Sequence, residues 1–378
     1  MKRIKKLSWI VVLLSVVFLI MSCSSKSDNT ADAASEAKTE TEQQIYNWRS
    51  ISCFPKGSNA YVSDEHFANL VREMSQGQLN ITLYGAGELA SANEVLEMVS
   101  SGTVEMGGDW PGYWAGKNPA FELLASSFSG FNAADFLIWI YQADGLEEYQ
   151  KLYGEYNCKY FPHLTHNMES GIRSNFPVNS LHDLAGKKVR MGGLIPGKVL
   201  QSFDITPMSI APAEIYEAVR RGTLDAFEYS IPTFDKEFSV EEISKYWLTP
   251  GFHSTSSVDG LMINLDAWNS LPEHIQVIVE QAARATILWG FTRTSYSDAE
   301  ATKYFTDEGI QTTVLPANEL DQVNEIKNRV QSEIAAENPD YARILKSQID
   351  YMRTMAPYRD ALGVFGFGNN PSSYPTVE

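Results

Sequence analysis

The sequence predicts an α/β protein made of two related lobes, and three observations carry that reading. Strand-like and helical segments alternate from about residue 46 onward. One helix–Gly–strand unit occurs twice, at a constant offset of 120 residues, and two long helical stretches follow residue 260. The chain has 378 residues, 44% of them apolar and 20% charged, enough to fill a core and more than one core usually holds.

Taken in order, the first segment is not part of that fold. Lys2, Arg3, Lys5 and Lys6 precede an apolar run from Leu7 to Met21, and a small residue, Ser22, stands directly before Cys23. A basic start, an apolar stretch too short for a comfortable membrane span and a small-residue cut site describe a secretory signal over 1–22. The pattern resembles a bacterial lipoprotein signal, in which the cysteine after the cut carries lipid; Cys23 would then anchor the chain to a membrane. Residues 24–44 contain no large apolar side chain, so 23–44 reads as a solvated tether. Removing the signal takes away four positive charges and moves the net charge from −17 to 26 − 47 = −21. That acidity excludes sequence-independent binding of nucleic acid, since no basic patch lies outside the first six residues. Two thiols remain after Cys23, Cys53 and Cys158, either one disulfide of an exported protein or two buried small side chains.

Residues 46–52 and 79–84 are rich in β-formers, with a helical pattern over 63–74 between them. A Gly-rich turn at Gly85 and Gly87, a helix around 92–101 and a strand around 103–107 follow. The series then repeats: a strand over Lys187–Met191, helices over 196–203 and 213–221, and a strand over 223–227. This alternation argues for parallel βαβ units. The two copies of the repeated unit, EVLEMVSSGTVEM at 94–106 and EIYEAVRRGTLDA at 214–226, share five of thirteen residues. Each is a helix closed by glycine and followed at once by a strand. Pro272 opens a helix over 272–305 with Ser270 as its expected cap, and a second runs over 317–355 with a break at Asn338-Pro339.

Catalytic signatures are absent. There is no G-x-S-x-G elbow, H-E-x-x-H, C-x-x-C or Walker loop. His163 and His166 are the only close histidine pair, with no acidic or thiol residue at ligand spacing, and read as surface or inter-lobe histidines.

The most specific pattern lies in 169–232: Arg173, then DLAGKKVRM (183–191), PMSIAPAEIYEAVRRGTLDA (207–226) and EYSIP (228–232). It resembles the solute-binding subunit of tripartite ATP-independent periplasmic (TRAP) transporters. The likeness continues through FPKGS (54–58), GAGEL (85–89), PGFH (250–253) and INLDAWNSLP (263–272). YWAGKNPAF (113–121) and DAFEYSIP (225–232) are similar to the branch that binds 2-oxo or 2-hydroxy monocarboxylates, with Tyr229 where those relatives carry tryptophan.

The resemblance implies a two-lobed periplasmic-binding-protein fold with the ligand cleft between lobes and long helices spanning both. The lobes are expected at 45–165 plus about 256–296, and at 166–255 plus about 297–360, with 361–378 as a tail. It also implies capture of a small organic acid without chemistry, and delivery to TRAP membrane subunits. Some relatives dimerise through a C-terminal helix, so a homodimer is a further implied partner. Arg190 takes the position that clamps the ligand carboxylate, where a guanidinium's planar fork suits a carboxylate as lysine does not. Arg173 is a second clamp or a structural ion pair. Glu228, a residue at position 169 and a later glutamate hold a metal in relatives. Here Glu169 replaces glutamine and Ser254 replaces the glutamate, so Glu169, Glu228 and Tyr229 are the implied ligands of a sodium or calcium ion. An ion pair of Glu228 with Arg190 or Arg173 is the alternative. Tyr113, Trp114 and Tyr229 are expected as aromatic walls, and Ser58 and Tyr61 as lining. Two competing functions stand beside this one: a lipid-anchored hydrolase using Glu169 and Glu228 as acid and base, and a structural surface lipoprotein.

Overall fold

A computed structural model describes residues 44–126, 130–210 and 212–362. The signal, the tether, Cys23 and the tail beyond 362 lie outside the described residues. The first lobe begins with β1 (Tyr46–Ser52), α1 (Asn59–Met74), β2 (Leu79–Tyr84), α2 (Val95–Ser100) and β3 (Met106–Asp109). It continues with α3 (Ala120–Ala125), α4 (Ala133–Gln142), α5 (Gly145–Gly154) and β4 (Cys158–His166). The chain then crosses and builds β5 (Ile172–Ser174), β6 (Lys188–Arg190), α6 (Leu194–Gln201), β7 (Thr206–Met208) and α7 (Pro212–Arg220). After these come β8 (Ala226–Phe227), α8 (Pro232–Glu237), α9 (Val240–Ile243) and β9 (Tyr246–Thr249). It returns through β10 (Ser257–Asn264), α10 (Leu265–Ser270) and α11 (Glu273–Asp307), and ends with β11 (Gln311–Val314), α12 (Ala317–Glu337) and α13 (Pro339–Leu362).

The two sheets share one plan. The first runs β2-β1-β3-β10-β4 and the second β7-β6-β8-β5-β9-β11. In each, the leading three strands are parallel: β1 with β2 and β3, and β6 with β7 and β8. The next strand is antiparallel to both neighbours and has just crossed from the opposite lobe: β10 in the first sheet, β5 in the second. The sheets are therefore mixed, not purely parallel, because each lobe lends the other a strand. The repeated unit supplies the central strands β3 and β8. Its glycines sit at the same turn, Gly102 at φ 74° and Gly222 at φ 70°, where a side chain would be strained.

Three expectations change here. Pro272, not Ser270, caps α11; the Ser270 hydroxyl instead donates to the Ala267 carbonyl at the end of α10, 2.7 Å away. His163 is fully buried within the first lobe, its Nε2 2.7 Å from Asp64 Oδ1, so it is neither a surface nor an inter-lobe histidine; His166, also buried, packs edge-on against Phe234 of α8 and keeps the inter-lobe reading. Finally, α13 packs on α3 and α5, tied by Trp139 Nε1 to Ser347 and by Arg343 Nε to Glu148. It lies with the first lobe, whereas the range to about 360 put it with the second. α12 does pack on α6, and α11 touches α1, β4 and α8, so it straps both lobes. Cys53 and Cys158 are unbonded and buried, which answers the open disulfide question; burial pushes both thiols up, that of Cys158 to about 12. Among the described residues no helix is long and apolar enough to cross a membrane.

Candidate functional site

The site grows from the two crossings, 167–171 and 250–256. They lie against each other: Glu169 N–H donates to the Ser254 carbonyl at 3.0 Å. The contact is so close that a Cβ on Gly251 would stand 2.1 Å from the Glu169 carbonyl oxygen, which only glycine permits. Arg190 and Glu228 arrive from the second sheet. β6 and β8 are parallel neighbours with Arg190 opposite Phe227, so both strands end at the same edge and Glu228 N–H donates to the Arg190 carbonyl at 3.1 Å. Functional groups gather at such strand ends because the chain there leaves the sheet for a loop.

Three side chains converge at that edge: Glu169, Glu228 and His253 each offer an atom within 4.8 Å of the others. His253 Nε2 lies 2.9 Å from Glu169 Oε2 and 3.4 Å from Glu228 Oε2. Glu228 Oε1 accepts from Arg190 Nη1 at 2.5 Å and from the Gly192 amide. Arg190 Nη1 also donates to the Glu228 carbonyl and Nε to the Ile210 carbonyl, which leaves Nη2 without a hydrogen bond among the described residues.

Burial sets the electrostatics. For His253, burial works against the charged form, but the Glu228 and Glu169 carboxylates overcome it and push its pKa up to about 10. Burial likewise works against ionised Glu228; Arg190, His253 and the Gly192 amide reverse that and hold the carboxyl below its usual range. Two carboxylates thus face one guanidinium and one imidazolium, a cluster without net charge. Tyr113 and Tyr229 stand close enough for the Arg190 charge to act on both phenols, although burial drives both well up, and neither hydroxyl has a hydrogen-bond partner among the described residues. Asp259 in β10 also acts on Tyr113. Burial first, then Asp64, Asp109 and Glu169, push the Asp259 carboxyl well above its ordinary value.

The other expected residues stand apart from this cluster. Trp114 is in the first-lobe core with its indole N–H on Asp109 at 2.7 Å; the tight turn Pro111–Trp114 sends the neighbouring rings of Tyr113 and Trp114 to different surroundings. Ser58 caps α1, accepting from the Tyr61 amide at 3.3 Å, and the Tyr61 ring is buried. Arg173 is fully buried, bonded through Nε and Nη2 to Asp235 at 3.0 and 2.8 Å. It is sandwiched between Trp247 and Phe305, so of its two readings it takes the structural ion pair. His253 is the residue that sequence reasoning passed over. Its signal was its place in PGFH beside Ser254, on the segment that meets Glu169.

A family model, "Bacterial extracellular solute-binding protein, family 7", matches residues 52–338. The chain belongs to that family. This family-7 chain is 33% identical over 235 residues to a monocarboxylate 2-oxoacid-binding periplasmic protein of Nostoc sp., covering 62% of this chain and 64% of the relative. A solute-binding protein of Sulfitobacter sp. is 28% identical over 44% of this chain and 49% of its own length, so this chain spans less than two thirds of either relative. Among solved TRAP solute-binding proteins, one from Pseudoalteromonas atlantica with bound sodium and pyruvate superposes with TM-score 0.79 at 25% identity, covering 86% of this chain and 100% of that one. Another, from Colwellia psychrerythraea with bound calcium and pyruvate, gives TM-score 0.79 at 27% identity, covering 84% and 97%. The two-lobed fold inferred from the repeat is thus the fold of this TRAP solute-binding family.

Proposed function

We propose that this family-7 protein captures a small 2-oxo or 2-hydroxy monocarboxylate between its lobes and hands it to TRAP membrane subunits, as an exported lipoprotein held by Cys23. The observation that carries this reading is the Arg190 guanidinium: Nε and Nη1 are held by the Ile210 carbonyl and by Glu228, Nη2 has no hydrogen bond among the described residues, and the Arg190 charge acts on the Tyr113 and Tyr229 phenols. A carboxylate would take Nη2 as a charge-assisted partner. The Tyr113 and Tyr229 hydroxyls would donate to its carboxylate or 2-oxo oxygen. Lobe closure excludes water and strengthens each of these contacts.

The donor set also suits a hard cation. Two carboxylate oxygens, Glu169 Oε2 and Glu228 Oε2, already converge on one point at the His253 N–H. Because the cluster carries no net charge, an incoming carboxylate adds one negative charge, which a sodium or calcium ion held by Glu169, Glu228 and the Tyr229 carbonyl would offset. This agrees with the sodium or calcium found with pyruvate in the two solved relatives. The hydrolase reading is disfavoured: Glu228 is kept ionised and Glu169 is tied to His253, so neither is poised as a general acid.

Titration calorimetry with pyruvate and with its neutral amide, pyruvamide, tests the proposal. Binding of pyruvate with a loss of at least about a hundredfold for the amide is expected, since a charged hydrogen bond to a buried guanidinium is at stake. Equal binding of both compounds, or binding of neither, would contradict it.

A further inference from the structure

The shared plan of the two sheets places two contacts in equivalent positions across the cleft. In the first lobe the helix after the leading strand is α1, and the helix after the central strand is α3; their counterparts in the second lobe are α6 and α8. Glu122 of α3 reaches into the second lobe and accepts from the backbone amide of Leu194, the first residue of α6. Glu237 of α8 reaches the other way and accepts from the amide of Asn59, the first residue of α1, with oxygens at 3.1 and 3.3 Å. Each lobe therefore caps a helix start of the other, by the same pair of elements related through the internal duplication.

Local chemistry shows that both contacts are built. The first amides of a helix have no partner within it, and a carboxylate is the strongest side-chain acceptor for them. Gly193 precedes α6 at φ 89°, and a Cβ there would stand 3.3 Å from Glu122 Oε1, so glycine leaves the opening through which the carboxylate enters. Glu122 is buried; burial lifts its pKa to about 7, while the Leu194 and Ile195 amides pull it back down. The second contact is exposed and reinforced differently: Asn59 Nδ2 also donates to Glu237, and Arg293 of the strap helix α11 donates to Asn59 Oδ1.

We propose that Glu122 and Glu237 form a reciprocal latch that holds the two lobes closed, so that both helix starts are released together when the cleft opens. One hinge motion would break both contacts, since each joins the same two bodies. The two halves differ in strength: the buried Glu122 contact resists opening more than the solvated Glu237 contact.

Amide hydrogen exchange on the signal-free chain, with no acid added, tests this independently of which ligand the cleft takes. In the wild-type protein the amides of Leu194, Ile195 and Asn59 are expected to be protected although they start helices. Glu122→Ala should speed exchange about tenfold at Leu194 and Ile195, and also at Asn59 some 60 residues before the substitution. Glu237→Ala, an exposed change that leaves the core intact, should speed both starts by about threefold. Amides of β1, β6 and the middle of α11 should keep wild-type rates in both. If each substitution frees only the helix start it touches, the contacts are separate local caps and the latch is wrong. Unprotected helix starts in the wild type would overturn it as well.

Discussion

Two of the arginine–carboxylate pairs in the second lobe are largely buried, and they differ in access. Arg173 and Asp235 are both fully buried, and the guanidinium is covered on its faces by Trp247 and Phe305. Arg190 keeps 12% of its side chain exposed, and its carboxylate partner Glu228 is shared with His253 and the Gly192 amide. The first pair is sealed, so its third nitrogen has no route to a ligand even though Nη1 lacks a partner. The second is held by a network that leaves one guanidinium nitrogen without a hydrogen bond among the described residues. An arginine paired with a carboxylate acts as a core rivet in one place and, on the proposed reading, as a ligand clamp in the other. Access decides which.

The contrast can be broken in graded steps. Asp235→Ala leaves an uncompensated buried guanidinium and should cost about 3–5 kcal/mol of stability in urea unfolding; a loss below about 1 kcal/mol would show that the pair is not a rivet. His253→Asn should act less strongly and in a pH-dependent way. The folded imidazolium titrates at about 10, above the ordinary value of 6.5. Its stabilisation is therefore complete below about pH 6.5 and is lost as pH rises through about 10. Across that window wild-type stability should fall relative to the Asn variant by on the order of a few kcal/mol. Parallel curves would sink the assignment. Arg190→Ala should be mildest for the fold, about 1 kcal/mol, because His253 and the Gly192 amide still hold the Glu228 carboxylate.

Much of this molecule was legible in the sequence. The βα alternation and the repeat at 94–106 and 214–226 led to two lobes, because local hydrophobic period and a C-terminal glycine are properties of short segments. Arg190 and Glu228 were reached through the family resemblance, which left the partner of Glu228 open between Arg190 and Arg173; the adjacent, parallel β6 and β8 decide for Arg190. The rest depended on chain paths that no local pattern encodes. The exchange of β5 and β10 makes each sheet mixed. His253 meets Glu169 84 residues away only because two crossings touch. Tyr113 and Trp114 are neighbours in sequence, yet the Arg190 charge acts on the phenol of one while the other bonds to Asp109 in the core, a split made by a single tight turn. α13 returns to the first lobe through side chains such as Arg343 and Ser347, whose partners lie about two hundred residues upstream.

The account stands most directly on Arg190 as the group that recognises a carboxylate. Calorimetric titration of the wild-type protein and the Arg190→Ala variant with pyruvate, after circular dichroism shows both to be folded, measures that claim. Binding in the wild type and a loss of at least about a hundredfold in the variant is the predicted result. Unchanged affinity in a folded Arg190→Ala protein would contradict it.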